Sequence, residues 1–407
     1  MEKAKLGGLA TFEMGQSPLS ATVNDEGKGI PFLQGNADFG FICPKPVVHC
    51  TTPNKLCETG DILISVRAPV GDLNKADQVY CIGRGLAAIR FNDSVDNAFG
   101  WHMINYWSHQ LEKVAQGSTF RAINKANLDA LRVMIFPIEE QRAIARILDE
   151  ADTEIRRTAD LIDKLKLARQ GLLHDLLSYG LLPDGTPRNP DDDALFKDAP
   201  LGRIPKEWEV KTVGDIVLSA VDGPFGSKLK TEHYVTDNQT RVVRLQNIGD
   251  GYFNDEDKAY ISDNYAKSLS RHEVEGGDLL VASMGDDNHP IARACIYPLD
   301  FKSGVVKADC FRLRLTENHE YVMYILSNPT TRKGLLDFAQ GVTRDRVNLS
   351  NLQRFRLALP TSKEQTLIVQ RLKAEDGKIR KEEQLLAKLR LAKKGLMDDL
   401  LTGRVRV

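Results

Sequence analysis

Three cysteines recur at seven-residue steps, Cys43, Cys50 and Cys57, with His49 among them. Thiolates and imidazoles are zinc ligands, but zinc sites take cysteines in tight pairs two to four residues apart. No such pair exists here, so the spacing favours free thiols and no metal. Glu209-Val210-Lys211 has the E-x-K spacing of a nuclease core. It follows Trp208 in what reads as a strand, and E-x-K alone is common. Asn328-Pro329-Thr330 comes nearest to an amino-methylation motif and lacks the second proline and the aromatic ring. There is no phosphate-binding Gly-Lys-Thr/Ser loop and no glycine-rich turn in a strand–helix–strand setting. The residues predict no catalytic centre in this chain.

The elements that would position other chemistry come twice. Pro137-Ile138-Glu139-Glu140-Gln141 returns as Pro360-Thr361-Ser362-Lys363-Glu364-Gln365. Leu161 to Leu173 returns as Leu385 to Met397, an offset of about 224 positions. Gly60-Asp61-Ile62-Leu63-Ile64 is answered by Gly277-Asp278-Leu279-Leu280-Val281, and Gln116-Gly117-Ser118-Thr119 by Gln340-Gly341-Val342-Thr343. A repeat this long is a whole-domain duplication. Its helical parts are similar in the two copies and its globular parts are diverged.

The chain has 407 residues, enough for two to three domains. Lys and Arg number 55 against 56 Asp and Glu, so no global basic field advertises nucleic acid, although a local basic face remains open. No apolar run reaches the length of a membrane span. The start, Met1-Glu2-Lys3-Ala4-Lys5, leads into no signal-peptide core. The expectation is a cytoplasmic protein with reduced thiols.

Asp61 to Val66 and Gly85 to Phe91 read as strands, and Asn97 to Val114 as a helix. A long helix is predicted over 138–178, entered after Pro137 and stopped by Gly180 and Pro183. Its apolar stripe runs through Ile144, Leu148, Ala151, Ile155, Thr158, Ile162, Leu165, Arg169, Leu172 and Leu176. A second long helix is predicted over 363–402, with Ile368, Leu372, Glu375, Ile379, Glu382, Leu386, Leu389, Lys393, Leu396 and Leu400. Steps of four and three sustained this long make a coiled-coil seam. Neither helix can bury its stripe alone, so the two are expected to pack antiparallel on each other. A helix near 35 residues spans roughly 50 Å. Gly171 and Gly395 sit inside the helices, where glycine costs about 1 kcal/mol relative to alanine. A close approach by another backbone, from a partner or the N-terminal region, would explain both.

The ordered islands resemble the specificity subunit of Type I restriction–modification systems. They are Met14-Gly15-Gln16-Ser17-Pro18, Gly60 to Arg67, Cys81-Ile82-Gly83-Arg84-Gly85-Leu86, Gly117-Ser118-Thr119, Ile204-Pro205-Lys206-Glu207-Trp208, the Glu-Gln helix starts, and Gly395 to Gly403. The resemblance covers essentially the whole chain. It implies an α+β fold, with two α/β target-recognition domains at opposite ends of an antiparallel two-helix coiled coil in a pseudo-two-fold internal repeat. The divisions would be a first recognition domain over 1–136, a central helix over 137–180, a linker over 181–200, a second recognition domain over 201–360 and a C-terminal helix over 361–407. It implies a non-catalytic subunit that reads one half of a split DNA site with each domain. Two methyltransferase subunits carrying S-adenosylmethionine would dock and methylate adenine N6, and a motor–nuclease subunit would join for restriction. No cofactor is expected in this chain.

Bases are read by long polar side chains at groove edges, while phosphate contacts fix position. For the first domain the candidates are Gln34, Asn36, Arg67, Arg84, Ser118, Thr119, Arg121 and Asn124. For the second they are Lys228, Lys230, Arg244, Gln246, Asn247, Asn288, Arg293, Thr343, Arg344 and Arg346. Arg244-Leu245-Gln246-Asn247 aligns roughly with Leu33-Gln34-Gly35-Asn36. Gly117-Ser118-Thr119 and Arg84 are equally readable as turns. For helix packing and partner docking they are Ile144, Leu148, Ile155, Ile162, Leu165, Gly171, Leu172, Ile368, Leu372, Ile379, Leu386, Leu389, Gly395 and Leu396. Two other readings stay open: a self-contained DNA-modifying enzyme, which the missing motifs oppose, and a coiled-coil scaffold that never touches DNA.

Overall fold

A computed structural model of the chain describes residues 2–116, 122–286, 288–337 and 345–407. It forms two compact units, Met1–Leu161 with Glu382–Val407, and Ile162–Lys381.

In the first unit the strands β1 (Ala10–Met14), β2 (Ile30–Leu33), β3 (Ile62–Ser65), β4 (Leu73–Lys75), β5 (Tyr80–Ile82) and β6 (Leu86–Phe91) precede helix α1 (Asn97–Gln116). One sheet runs β1-β6-β3-β4, antiparallel throughout. A second holds β2 and β5 side by side and parallel, flanked by three short strands. The apolar run Ile62-Leu63-Ile64 of β3 follows from burial of every residue in the strand, with both faces covered. Ile62 and Ile64 face Phe99, Met103 and Ile104 of α1, while Leu63 packs with Leu33, Tyr80 and Ile82. The long helix α2 (Ile138–Ser178) starts directly after Pro137. It stops at Gly180, whose φ of +65° is in the region that favours glycine. A Cβ there would meet Glu364 Oε1 at 2.2 Å.

The second unit repeats this order. Its strands are β7 (Val217–Asp222), β8 (Thr240–Val243), β9 (Leu279–Ala282), β10 (Ala294–Ile296), β11 (Gly304–Val306) and β12 (Cys310–Leu315), followed by α3 (His319–Ser327) and the long α4 (Ser362–Leu401). The first sheet is β7-β12-β9-β10, and β8 and β11 form the parallel pair of the second. The registers agree as well: β3 meets β4 with Ile62 opposite Lys75, and β9 meets β10 with Leu279 opposite Ile296. Duplication of fold thus extends through the segments whose sequences have diverged.

Within each unit a segment of α2 packs antiparallel on a segment of α4. In the first unit Asp152 pairs with Lys393 at 2.5 Å, and in the second Arg169 pairs with Asp376 at 2.8 Å. These four residues are the same two positions of the repeat exchanged between helices, so the polar seam positions Arg169 and Lys393 are interhelical ion pairs. The stripes are covered by each other, as expected, and also by the globular cores. Ile144 and Leu148 are buried among Phe99, Val133 and Leu400, and Ile368 and Leu372 among Trp208, Tyr321 and Leu359. Burying such side chains contributes about 1.5–3 kcal/mol each, so the globular cores anchor the helix starts. Ile162 and Ile379 are buried; Ile155, Leu165, Leu172, Leu386 and Leu389 are half-buried; Leu396 is exposed.

The segment expected to be a linker over 181–200 is an ordered part of the second unit. Leu181 bridges Pro187, and Phe196–Ala199 pairs antiparallel with Gly202–Pro205. Arg188 and Phe196 are buried. Its prolines and aspartates make turns rather than slack chain.

Candidate functional site

The loops that leave the two sheets of the first unit meet at one place. Gly15 N–H donates to Leu86 O and Gln16 N–H to Ile82 O, each at 2.9 Å. Gly83 N–H donates to Leu33 O, and Val66 N–H to Gly85 O, each at 2.8 Å. Ile123 N–H donates to Val66 O, and Arg67 bridges Ala122. A Cβ on Gly15 would lie 2.1 Å from Gly83 O, so only glycine lets the loops after β1 and β5 approach this closely. The cluster gathers Gln34, Arg67 and Arg84, all exposed. Arg84 occupies a turn and donates from Nε to Ser17 Oγ at 3.4 Å, so it is both a bend residue and an exposed cation.

The second unit builds the same cluster from different side chains. Gly223 takes the place of Gly15, with a Cβ position 2.0 Å from the Lys307 carbonyl carbon. Lys307 N–H donates to Val243 O, Ser283 N–H to Asp309 O and Val347 N–H to Ser283 O. Met284 pairs with Arg346 as Arg67 pairs with Ala122, so an arginine stands on opposite sides of equivalent bridges. Lys228, Lys230, Gln246, Asn288 and Arg346 are exposed around it.

Several sequence candidates are committed elsewhere. Asn124 caps the short helix Lys125–Ala130, accepting from Asn127 N–H at 3.1 Å, and Asn348 caps Leu349–Arg354 in the same way. Such caps contribute about 1 kcal/mol. Asn247 is fully buried; its Oδ1 accepts from Arg244 N–H, and its Nδ2 donates to Asn254 O and Asp257 O. Arg293 is buried, with its guanidinium spent on backbone carbonyls. Arg244 is ion-paired with Asp257, and Arg346 with Asp309 at 2.6 Å. Asn36 donates to Asp72 at 2.7 Å. The residue answering Asn247 is Asp38, which accepts from Gly35 N–H, so the expected alignment with Asn36 is displaced by two residues. Ser118, Thr119, Arg121, Thr343 and Arg344 lie outside the described residues.

Asp222 sits at the heart of the second cluster, where burial first and the neighbouring Asp309 second push its carboxyl up to about 6. It accepts from Asp309 N–H at 3.2 Å, and Arg346 offsets part of the repulsion. A carboxyl harder to ionise when folded than when unfolded favours folding in acid and loses that advantage as pH rises through 6. Asp222→Asn keeps the acceptor and removes the charge. It is expected to stabilise the second unit at pH 7.5 by on the order of 1 kcal/mol after solvent screening. The gain should fall as pH drops below about 6 and vanish by pH about 3, where the wild-type carboxyl is protonated both folded and unfolded. Thermal unfolding of both proteins across that range checks it; equal melting at pH 7.5 would refute it.

Sequence reasoning missed what the Glu-Gln pairs do. Gln141 accepts from Asp96 N–H and donates to Phe136 O and Ser94 O, all at 2.8 Å. Gln365 accepts from Asn318 N–H at 3.1 Å and donates to Pro360 O at 3.0 Å and to Glu317 at 2.7 Å. Both are fully buried, and they fasten the start of α2 to the start of α1 and the start of α4 to the start of α3. Glu140 pairs with Arg406, and Glu364 with Arg188. Recurrence of Glu-Gln at both helix starts was the available signal.

Gly171 and Gly395 have no neighbour within 4 Å of a built Cβ, so no backbone of the described chain approaches them. Leu167 and Leu391, at equivalent positions four residues earlier, are each 72% exposed. Cys43, Cys50 and Cys57 are free thiols. Among the described residues no group of His, Cys, Asp and Glu is placed to hold a metal, and no helix is long and apolar enough to cross a membrane.

A family model described as the Type I restriction modification DNA specificity domain matches residues 1–167 and 205–391. A protein of Methanocaldococcus jannaschii named as the type I restriction enzyme MjaX specificity subunit is 44% identical over 178 residues, 42% of each chain. That alignment spans less than half of the relative. The MjaVIII specificity subunit of the same organism is 23% identical over 428 positions, covering 100% of this chain and 93% of its own. Among solved structures, a chain from work on complex assembly and conformational transition of the type I R-M system shares the fold. Its TM-score is 0.62 at 14% identity, over 98% of this chain and 97% of that one.

Proposed function

The chain belongs to the Type I restriction modification DNA specificity family, and on that premise we propose that it is the DNA-reading subunit of a type I restriction–modification complex. Each unit reads one half of a bipartite, asymmetric site. The observation that carries this is the pair of loop clusters: one backbone frame made twice, with Gln34, Arg67 and Arg84 presented by one copy and Lys228, Gln246 and Asn288 by the other. Long polar and cationic side chains are suited to base edges and phosphates. Different side chains on equivalent loops suit different half-sites. The reading supplies a use for the clusters that a scaffold without DNA binding does not.

In this proposal α2 and α4, which each run through both units, set the distance between the half-sites. Two methyltransferase subunits dock on the chain. Support comes from Leu167 with Gly171 in one unit and Leu391 with Gly395 in the other, where exposed leucine stands beside open glycine. Those subunits hold S-adenosylmethionine and methylate adenine N6, a motor–nuclease subunit joins for restriction, and this chain catalyses nothing itself. The complex works in the cytoplasm, where the DNA is.

The test is to express the chain with its partner methyltransferase in a host free of other adenine methylation and to sequence the modified adenines directly. The expected result is a split asymmetric motif that disappears when the chain is omitted. Methylation that ignores the chain would overturn the proposal. Cleavage or methylation of DNA by the purified chain alone, with Mg²⁺ and S-adenosylmethionine, would convert it into an enzyme.

A further inference from the structure

In each unit a side chain at one equivalent position joins two recognition loops, and that side chain has opposite charge in the two units. In the second unit it is Arg293, which immediately precedes β10. Its Nε donates to Ile248 O at 2.8 Å and its Nη2 to Leu245 O at 3.2 Å, both in the loop after β8. Its Nη1 donates to Met284 O at 3.2 Å and to His289 O and Pro290 O at 3.4 Å, in the loop after β9. Arg293 is 8% exposed, so its charge is spread over backbone carbonyls rather than offered to a ligand. Burial depresses its pKa, yet guanidinium remains the charged form at any working pH.

The equivalent position in the first unit is Asp72, which immediately precedes β4. The correspondence is fixed by the backbone: Ser65 N–H donates to Asp72 O at 2.8 Å, and Ala282 N–H to Arg293 O at 2.9 Å. Asp72 Oδ2 accepts from Asn36 Nδ2 at 2.7 Å. That bond joins the loop after β2 to the loop after β3, the same two loops that Arg293 joins. An arginine gathering carbonyls and a carboxylate accepting an amide N–H are different chemistry at one geometric position.

We propose that Arg293 and Asp72 are positioning residues for sequence discrimination, each fixing the mutual geometry of two base-reading loops in its own unit. Gln246 and Asn288 are on the loops that Arg293 joins, and Gln34 and Arg67 on or beside those that Asp72 joins. Base contacts need side chains held within a fraction of an ångström, so a loose loop pair still meets phosphates while losing the preference between bases. Loss of either clamp therefore relaxes one half-site and leaves discrimination at the other. The inference rests on the DNA-reading function proposed above.

The experiment uses the full chain assembled with its methyltransferase partner. Its probes are duplexes carrying the mapped target and each single base-pair substitution, and kcat/KM is read for every probe. For Arg293→Met the ratio of cognate to substituted duplex is expected to fall about ten-fold or more at positions of one half-site and to stay within two-fold at the other. Asp72→Ala should do the converse by about three- to ten-fold, and Asp72→Asn, which can still accept from Asn36, should restore it. Asp72 is exposed, so its variants keep the test decisive if Arg293→Met fails to fold. Equal loss at both half-sites, or a slower reaction with unchanged ratios, would overturn the proposal. Absence of base preference in the wild-type complex would instead overturn the DNA-reading function.

Discussion

Arg188→Met should lower the stability of the second unit by about 3–5 kcal/mol, because it leaves a buried carboxylate without its cation. Arg188 and Glu364 have side chains 3% and 8% exposed. Glu364 also accepts from Leu181 N–H at 2.8 Å and from Trp208 Nε1–H at 3.2 Å. One carboxylate therefore ties together the first turn of α4, the residues after α2 and the start of the globular segment. Removing the guanidinium strips the strongest of these partners and leaves the charge largely shielded from water. Adding Glu364→Gln to the same chain should recover part of the loss, since the neutral amide costs less to bury. At the equivalent glutamate, Arg406→Met should cost far less, because Arg406 is 54% exposed and its interaction with Glu140 is screened. Chemical denaturation of the full chain measures all three. An Arg188→Met protein within about 1 kcal/mol of wild type would show the pair to be dispensable.

A seven-residue insertion in each long helix, between Leu161 and Ile162 and between Glu383 and Gln384, should lengthen the spacer of the methylated site and change neither half. Seven residues add about 10.5 Å of helix, up to about three base-pair steps of duplex. A heptad keeps helix phase to within about 20°, so each unit retains its own interhelical pair, Asp152–Lys393 or Arg169–Asp376. Sequencing modified adenines in a host expressing the variant with its partner reads spacer and half-sites together. An unchanged spacer would mean that the helices do not set the distance.

How far the sequence could be read depended on whether the signal was local. The stripe through Ile144, Leu148 and Ile162 repeats along the chain itself, and the helix it predicts is present over Ile138–Ser178. The run at Asp61–Val66 likewise holds the strand Ile62–Ser65. Destinations of long side chains are not local. Arg188 finds Glu364 across 176 positions, and composition alone made its surroundings look like a linker. Arg293 and Asn247 have the side chains of base readers and are spent on backbone carbonyls that loops bring to them from elsewhere in the fold. Nothing in residue type separates them from Gln246, which lies beside Asn247 and is exposed. The two-residue displacement of Asp38 against Asn247 arose because sequence similarity fades in the loops while the hydrogen-bond frame persists.

The buried glutamines at the helix starts set the terms on which a head may be exchanged. Gln141 asks its globular segment for the backbone N–H of Asp96 and the carbonyls of Phe136 and Ser94. Gln365 asks for the N–H of Asn318, the carbonyl of Pro360 and one carboxylate oxygen. Nearly all of these are main-chain groups that any sequence supplies. A recognition segment can drift far, or be replaced wholesale, and still fit the joint, so new specificity can arise without the helices being retuned.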